Sequence, residues 1–272
     1  LGGVNSEGAA SPPPAPAAAV EARRLARSFG TTLAVDGVDL TVRAGEVFGL
    51  LGPNGAGKTT TLRMLCGLVL PTSGEARICG IDVWREPRRA RARLGYLDEE
   101  PIVYPYLTGR EFLHLVAELY GLQSGRHRDE QVGRLLTLFE MTDKADELVS
   151  GYSHGTRQKL GLASLLIHDP DVLFLDEPTN GLDPRAARRV KELLQELAER
   201  GRAIVLSTHI LEIAQALCDR VAIIDRGKVV AIGTLEELRA GAGASGASLE
   251  DLFLELTGGP EQRAMLDHLL NG

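Results

Sequence analysis

Gly52, Pro53, Asn54, Gly55, Ala56, Gly57, Lys58 and Thr59 fit the pattern GxxxxGK[ST], the spacing of a loop that holds phosphate. Its glycines let the backbone turn N–H groups inward, its lysine reaches the β- and γ-phosphates, and the hydroxyl that follows is a ligand for Mg2+. Thr60, the next residue, is counted with the same nucleotide-binding set. The expected ligand is a purine nucleoside triphosphate. Asp176 and Glu177 end the apolar run Val172-Leu173-Phe174-Leu175. A carboxylate at the end of a buried strand beside a phosphate loop can hold the metal through water, and the next can orient or deprotonate the water that attacks the γ-phosphate. Asp176 is thus expected on the metal side and Glu177 as the base. A further apolar run, Ala203 to Leu206, ends in Ser207, Thr208 and His209. Such strands deliver their carboxyl ends to the nucleotide crevice, so His209 is expected to contact the γ-phosphate.

The elements that must position these groups are legible from periodicity. Val47 to Leu51 reads as a strand and Thr59 to Leu68 as a helix, on either side of the glycine-rich loop. Thr32 to Val42, Ala76 to Cys79 and Gly95 to Leu97 are further β-like runs. From Thr108 to Leu166 the apolar residues recur at three- and four-residue intervals, as in Phe112, Val116, Leu119 and Tyr120, which predicts a helical insert. The second half alternates strand and helix: Val172 to Leu175, a helix from Pro184 to Arg200, Ala203 to Leu206, a helix over Glu212 to Cys218, and a hairpin of Val221 to Ile224 with Val229 to Ile232 about Arg226-Gly227. Asp183 can cap the first of these helices, with Pro184 in its first turn and Gly201 at its end. The pattern predicts an α/β core with a mainly parallel sheet.

Composition sets outer bounds. With 272 residues, 44% hydrophobic and 25% charged, the chain can bury a large core and is not fibrous or disordered. A formal charge of -7 argues against nonspecific nucleic-acid binding, and the basic cluster Arg85 to Arg93 reads as solvated surface. Cys66, Cys79 and Cys218 have no metal-ligand spacing and read as core or buried-edge thiols of a reducing compartment. No apolar run approaches the ~20 residues of a membrane-spanning helix and no secretory signal pattern opens the chain, so work at a membrane is expected to need a partner.

Taken together, the chain resembles the nucleotide-binding subunits of ATP-binding cassette (ABC) transporters. The resemblance rests on the phosphate loop, Asp176-Glu177, and Tyr152-Ser153-His154-Gly155-Thr156 before Arg157-Gln158-Lys159, similar to the family's signature segment. Asn180-Gly181-Leu182-Asp183 resembles its D-loop, and His209 stands at the switch-histidine position. It implies a P-loop NTPase core with a mainly parallel sheet, an antiparallel β portion near the N-terminus and a helical signature subdomain at about 98–166. A flexible Pro/Ala-rich leader is expected over 1–21, the ATPase domain over 22–238, and a Gly/Ala/Ser hinge with a short helical tail over 239–272. The resemblance further implies ATP and Mg2+ as ligands. Phe29 would be an adenine-stacking aromatic with Val35 lining the same pocket, and Ser153 and Gly155 would reach a phosphate bound mainly by the opposite cassette of a dimer. Glu99 stands where the family usually has a glutamine, and remains able to ligate Mg2+. Thr156 and His154 also depart from the usual signature.

A separately encoded integral-membrane permease is the implied partner, with the chain cytoplasmic and peripheral on the inner face of the membrane. Pro101, Tyr104, Pro105 and Tyr106 supply a docking surface or close the insert's own core. Leu249 to Leu256 resembles the end of cassettes in the drug-export branch. Two other readings stay open: a soluble cassette acting on ribosomes or DNA, and a regulatory cassette with little turnover.

Overall fold

Strand alternation divides the core into two faces of one sheet. In the computed structural model, which describes residues 18–241 and 249–257, β3 (Val47–Leu51), β7 (Val172–Asp176) and β8 (Ala203–Thr208) are buried along their whole length. They form the centre of a six-stranded sheet in the order β10-β9-β3-β8-β7-β6. The flanking members are β6 (Leu94–Leu97), β9 (Arg220–Asp225) and β10 (Lys228–Gly233). All neighbours are parallel except β9 with β10, the expected hairpin. Continuous apolar runs of this kind are what a parallel sheet covered on both faces requires.

On one face Phe48, Leu50, Phe174 and Val205 meet the helix α1 (Lys58–Leu65) and a second, antiparallel sheet. That sheet has the order β2-β1-β4-β5, from β1 (Ala18–Phe29), β2 (Thr32–Arg43), β4 (Ser73–Ile78) and β5 (Ile81–Asp82). A short helix, α2 (Pro87–Arg91), follows. On the opposite face Leu173, Leu175, Ile204 and Leu206 meet the helical insert and α6 (Pro184–Glu199). The insert consists of α3 (Gly109–Leu119), α4 (Arg126–Leu138) and α5 (His154–Leu165). Thr108 opens it with a reciprocal cap: its hydroxyl accepts from the Glu111 N–H while the Glu111 carboxylate accepts from the Thr108 N–H.

Asp183 caps α6 as expected, its Oδ1 accepting from the N–H groups of Arg185 and Ala186 at 3.0 and 2.9 Å. These bonds, with that from Ala186 foremost, hold its carboxyl below the usual range. The chain continues through α7 (Leu211–Leu217), α8 (Leu235–Gly241) and α9 (Leu249–Thr257), whose Phe253 and Leu256 pack against Leu51, Ala214 and Ile223. Most of the Gly/Ala/Ser hinge and the last part of the expected tail, 258–272, lie outside the described residues.

One boundary needs correction. The first strand starts at Ala18, inside the stretch expected to be leader, and Ala19, Val20 and Ala22 are core residues. Small apolar residues there suit the close pairing of β1 with both β2 and β4.

Phe174 is fully buried in a central strand. Phe174→Ala is expected to lower the free energy of unfolding by about 3–5 kcal/mol, read from urea denaturation, because the neighbouring helix and sheet cannot close the cavity.

Candidate functional site

Three parallel strands end at one edge. Leu51 pairs with Thr208, and Asp176 pairs with Ser207, so the loop after β3, the carboxylates after β7 and the polar end of β8 converge. They line a cleft of about 320 Å³ with Ala34, Asn54, Gly55, Gly57, Lys58, Thr59, Thr60, Glu99, Asp176, Glu177 and His209 on its walls. Gly52, Pro53 and Ala56 shape the loop from behind. At Gly52 a Cβ would lie 2.3 Å from the Ile224 carbonyl oxygen, so only glycine passes there. Gly57 has φ +106° and a Cβ on it would lie 2.6 Å from the Ala34 carbonyl oxygen.

Lys58 is almost buried, and its ammonium donates to the carbonyl oxygens of Gly52 at 2.7 Å and Pro53 at 3.2 Å. Burial pulls its pKa below the ordinary lysine value, while the carboxylates of Glu177, Asp176 and Glu99 act in the opposite direction. The loop therefore presents a desolvated cation facing three carboxylates, an excess of negative charge that a bound divalent cation would offset.

Asp176 is 1% exposed. Its Oδ1 accepts from the Ser207 hydroxyl, and its Oδ2 is buried without a hydrogen-bond partner among the described residues. An orphaned carboxylate oxygen at this depth is costly unless something else coordinates it. With the Thr59 hydroxyl and the exposed Glu99 carboxylate on the same cleft, the donors are all oxygen, the chemistry that suits Mg2+.

Glu177 is held by three donors. Its Oε1 accepts from the His209 N–H at 3.0 Å and lies 2.7 Å from His209 Nδ1, and its Oε2 accepts from the Thr208 hydroxyl at 3.1 Å. Its φ is +48°, a left-handed conformation that costs a non-glycine residue on the order of 1–3 kcal/mol. The bond from its own N–H to the Ser207 carbonyl helps to fix that turn. Glu99 is joined to the segment after Glu177 by the Asn180 side chain at 3.4 Å, and to α1 indirectly, through Asp98 and Arg63 at 2.9 Å.

Other expected residues stand outside this cleft. Ser153 caps α5, its hydroxyl accepting from the Thr156 N–H at 3.3 Å, and Gly155 passes so close to the following turn that a Cβ would lie 2.9 Å from the Gly181 carbonyl oxygen. Neither they nor Asp183 line the cleft with the phosphate loop. Phe29 is half exposed at the end of β1, with the Arg27 guanidinium 4.5 Å from its ring centroid. Val35, expected beside it, is fully buried in the core. Adjacent strand residues point to opposite faces, and Ala34 is the one that meets the cleft.

Other contributors had no assigned role in the sequence reading. The Gly227 N–H donates to the Ala56 carbonyl at 2.9 Å, so the β9–β10 turn props the phosphate loop. Gln158, fully buried, donates from Nε2 to the Pro178 carbonyl at 3.3 Å and ties α5 to the turn beyond Glu177. Its place in Arg157-Gln158-Lys159, directly after the signature-like segment, was the sequence signal that could have found it.

Fold and site together define a phosphate-loop α/β protein with a helical insert, the P-loop NTPase architecture. Residues 35–180 match the family described as ABC transporter. The daunorubicin/doxorubicin resistance ATP-binding protein DrrA of Streptomyces peucetius is 43% identical over 230 residues, covering 85% of this chain and 69% of that protein. The Nod factor export ATP-binding protein I of Paraburkholderia xenovorans is 41% identical over 254 residues, covering 93% of this chain and 81% of that protein. The chain spans only 38% of another relative, the probable multidrug ABC transporter ATP-binding protein YbhF of Escherichia coli, to which it is 40% identical over 221 residues, 81% of its own length. A solved structure described as the ATP-binding subunit of an ABC transporter matches with a TM-score of 0.82 at 34% identity, covering 87% of this chain and 98% of that one. A dimeric ATP-binding cassette in a post-hydrolysis state, bound to ADP and Pi, matches with a TM-score of 0.74 at 26% identity, over 79% of this chain and 98% of that one. The chain belongs to the ABC transporter family.

Gly57→Ala tests the loop geometry. Positive φ and the approach of the Ala34 carbonyl together are expected to reduce unfolding free energy by about 1–3 kcal/mol in urea titrations, against no change if the loop tolerates a side chain there.

Proposed function

We propose that the chain binds and hydrolyses ATP and energises export of a substrate through a separately encoded integral-membrane permease. The observation that carries this reading is the single cleft shared by Lys58, Thr59, Asp176, Glu177 and His209. The names of the relatives, drug resistance and Nod factor export ATP-binding proteins, support the transport half.

In this reading Lys58 exchanges the Gly52 and Pro53 carbonyls for β- and γ-phosphate oxygens, and the loop N–H groups face the same phosphates. Thr59, Asp176 through its unpartnered Oδ2, and Glu99 would hold Mg2+, which would supply positive charge to offset the negative charge that develops on the phosphate. Glu177 orients the attacking water and accepts its proton as the water oxygen bonds to the γ-phosphorus. The bond to the β–γ bridging oxygen breaks, leaving ADP and phosphate. His209, already bonded to Glu177, is placed to keep that carboxylate aligned and to contact the γ-phosphate.

Ser153, Gly155 and Asp183 act from a partner cassette. The position of Ser153 and Gly155 outside the cleft supports this, since the start of a twelve-residue helix suits a phosphate brought to it from another chain. The base rests on Phe29. Hydrolysis then depends on closure of a cassette dimer, which couples it to the permease.

Tyr104, 52% exposed, and Tyr106, 88% exposed, with Ile102 beside them, support the segment Glu99 to Thr108 as the docking surface. Tyr104 also meets Phe112 edge-on, so one aromatic serves the insert while its neighbour stays outward. Among the described residues no helix is long and apolar enough to cross a membrane. The proposed location is peripheral, on the inner face of the cell membrane.

Glu177→Gln keeps the shape of the side chain and removes the base. ATP binding is expected to persist in equilibrium titrations while phosphate release falls by about a hundredfold or more; normal turnover would remove Glu177 from the role of base. Capture of this variant from its native membranes with ATP is expected to bring an integral-membrane subunit with it, whereas recovery of ribosomes or DNA-bound complexes would overturn the transport reading.

A further inference from the structure

Arg27 sits two residues before Phe29 on β1 and places its guanidinium carbon 4.5 Å from the centre of the Phe29 ring. It is anchored there, because its Nη1 donates to the Leu70 carbonyl at 2.8 Å. Its Nε is buried with no hydrogen-bond partner among the described residues, which leaves the electron-rich ring face as the group that compensates it. Phe29 itself is 47% exposed. With Arg27 over one face, nearly half of the residue's surface still remains open to solvent.

The register of β1 with β2 relates the ring to the cleft. Phe29 pairs with Thr32 at the β1–β2 turn, two residues before Ala34, which lines the cleft, so a base attached to loop-bound phosphates can reach the ring from that side.

We propose that Arg27 is a positioning residue for the nucleotide base, holding Phe29 from behind so that a purine completes a three-layer stack of guanidinium, phenyl ring and base. The inference rests on the reading of Phe29 as the base platform. Two physical effects favour it. An anchored cation restricts the ring to one rotamer before the ligand arrives, so less freedom is lost on binding. The cation also draws π density toward its own side, which lessens repulsion between the opposite face and the π system of the purine.

The test compares equilibrium binding of Mg-ATP with that of Mg-tripolyphosphate, which offers the phosphates without a base. Arg27→Gln keeps an amide donor for the Leu70 carbonyl and removes the charge. It is expected to weaken ATP binding by about two- to fivefold and leave tripolyphosphate unchanged, with most of the ATP affinity restored in Arg27→Lys. Unchanged ATP affinity in Arg27→Gln, or an equal loss for both ligands, would overturn the proposal. Phe29→Ala separates the two levels. A loss confined to ATP there, with Arg27→Gln like wild type, removes only the role of Arg27; no loss in Phe29→Ala removes the base platform and the inference with it.

Discussion

The register of three parallel strands is the constraint on which the rest depends. Pairing Leu51 with Thr208 and Asp176 with Ser207 ends β3, β7 and β8 at one level. The chain then leaves each strand carrying something chemical: a glycine-rich loop, two carboxylates, and a histidine. A slip of one residue in β7 would turn Asp176 from the Ser207 hydroxyl to the opposite face of the sheet and carry Phe174 out of its own layer. The apolar residues that fix this register are thus as much a part of the site as the polar ones that end it.

Placing charge at that edge has a stability cost that the fold offsets locally. Lys58 is nearly buried, and it is satisfied by carbonyls of its own loop. Glu177 is satisfied by Thr208 and by both the backbone and the ring of His209. Asp176 is satisfied on one oxygen only. The protein's own groups therefore satisfy Lys58 and Glu177 and leave a single Asp176 oxygen without a partner among the described residues, an asymmetry that favours a cation at that oxygen through Coulomb energy. The same economy governs the surface proposed to face a second cassette, where glycine at 155 and the buried Gln158 hold the start of α5 against the turn at Pro178 to Gly181.

Much of this was legible in the sequence because its signals are local. A glycine-rich loop between a strand and a helix, an apolar run ending in two acids, and an aspartate-proline helix start each state their geometry within ten residues. The failures have physical reasons of equal clarity. β1 went unread because Glu21, Arg23, Arg24 and Arg27 interrupt its apolar residues, and because Arg24 adopts φ +46° at an irregularity where its N–H bonds the Asp39 carboxylate instead of a neighbouring strand. Gln158 finds its partner only once α5 and the turn after β7 are folded together.

The hairpin turn at Arg226-Gly227 looks peripheral in the sequence, yet it has a fixed place in the molecule. Gly227 donates to the Ala56 carbonyl and accepts from the Asp36 N–H, and a Cβ on it would lie 2.8 Å from the Ala34 carbonyl oxygen. It therefore acts as a gauge block, spacing the first antiparallel sheet from the phosphate loop. Loops at the surface usually absorb insertions and deletions freely, but a change in the length of this one would be read out some 170 residues earlier in the chain, as a change in where the loop N–H groups point.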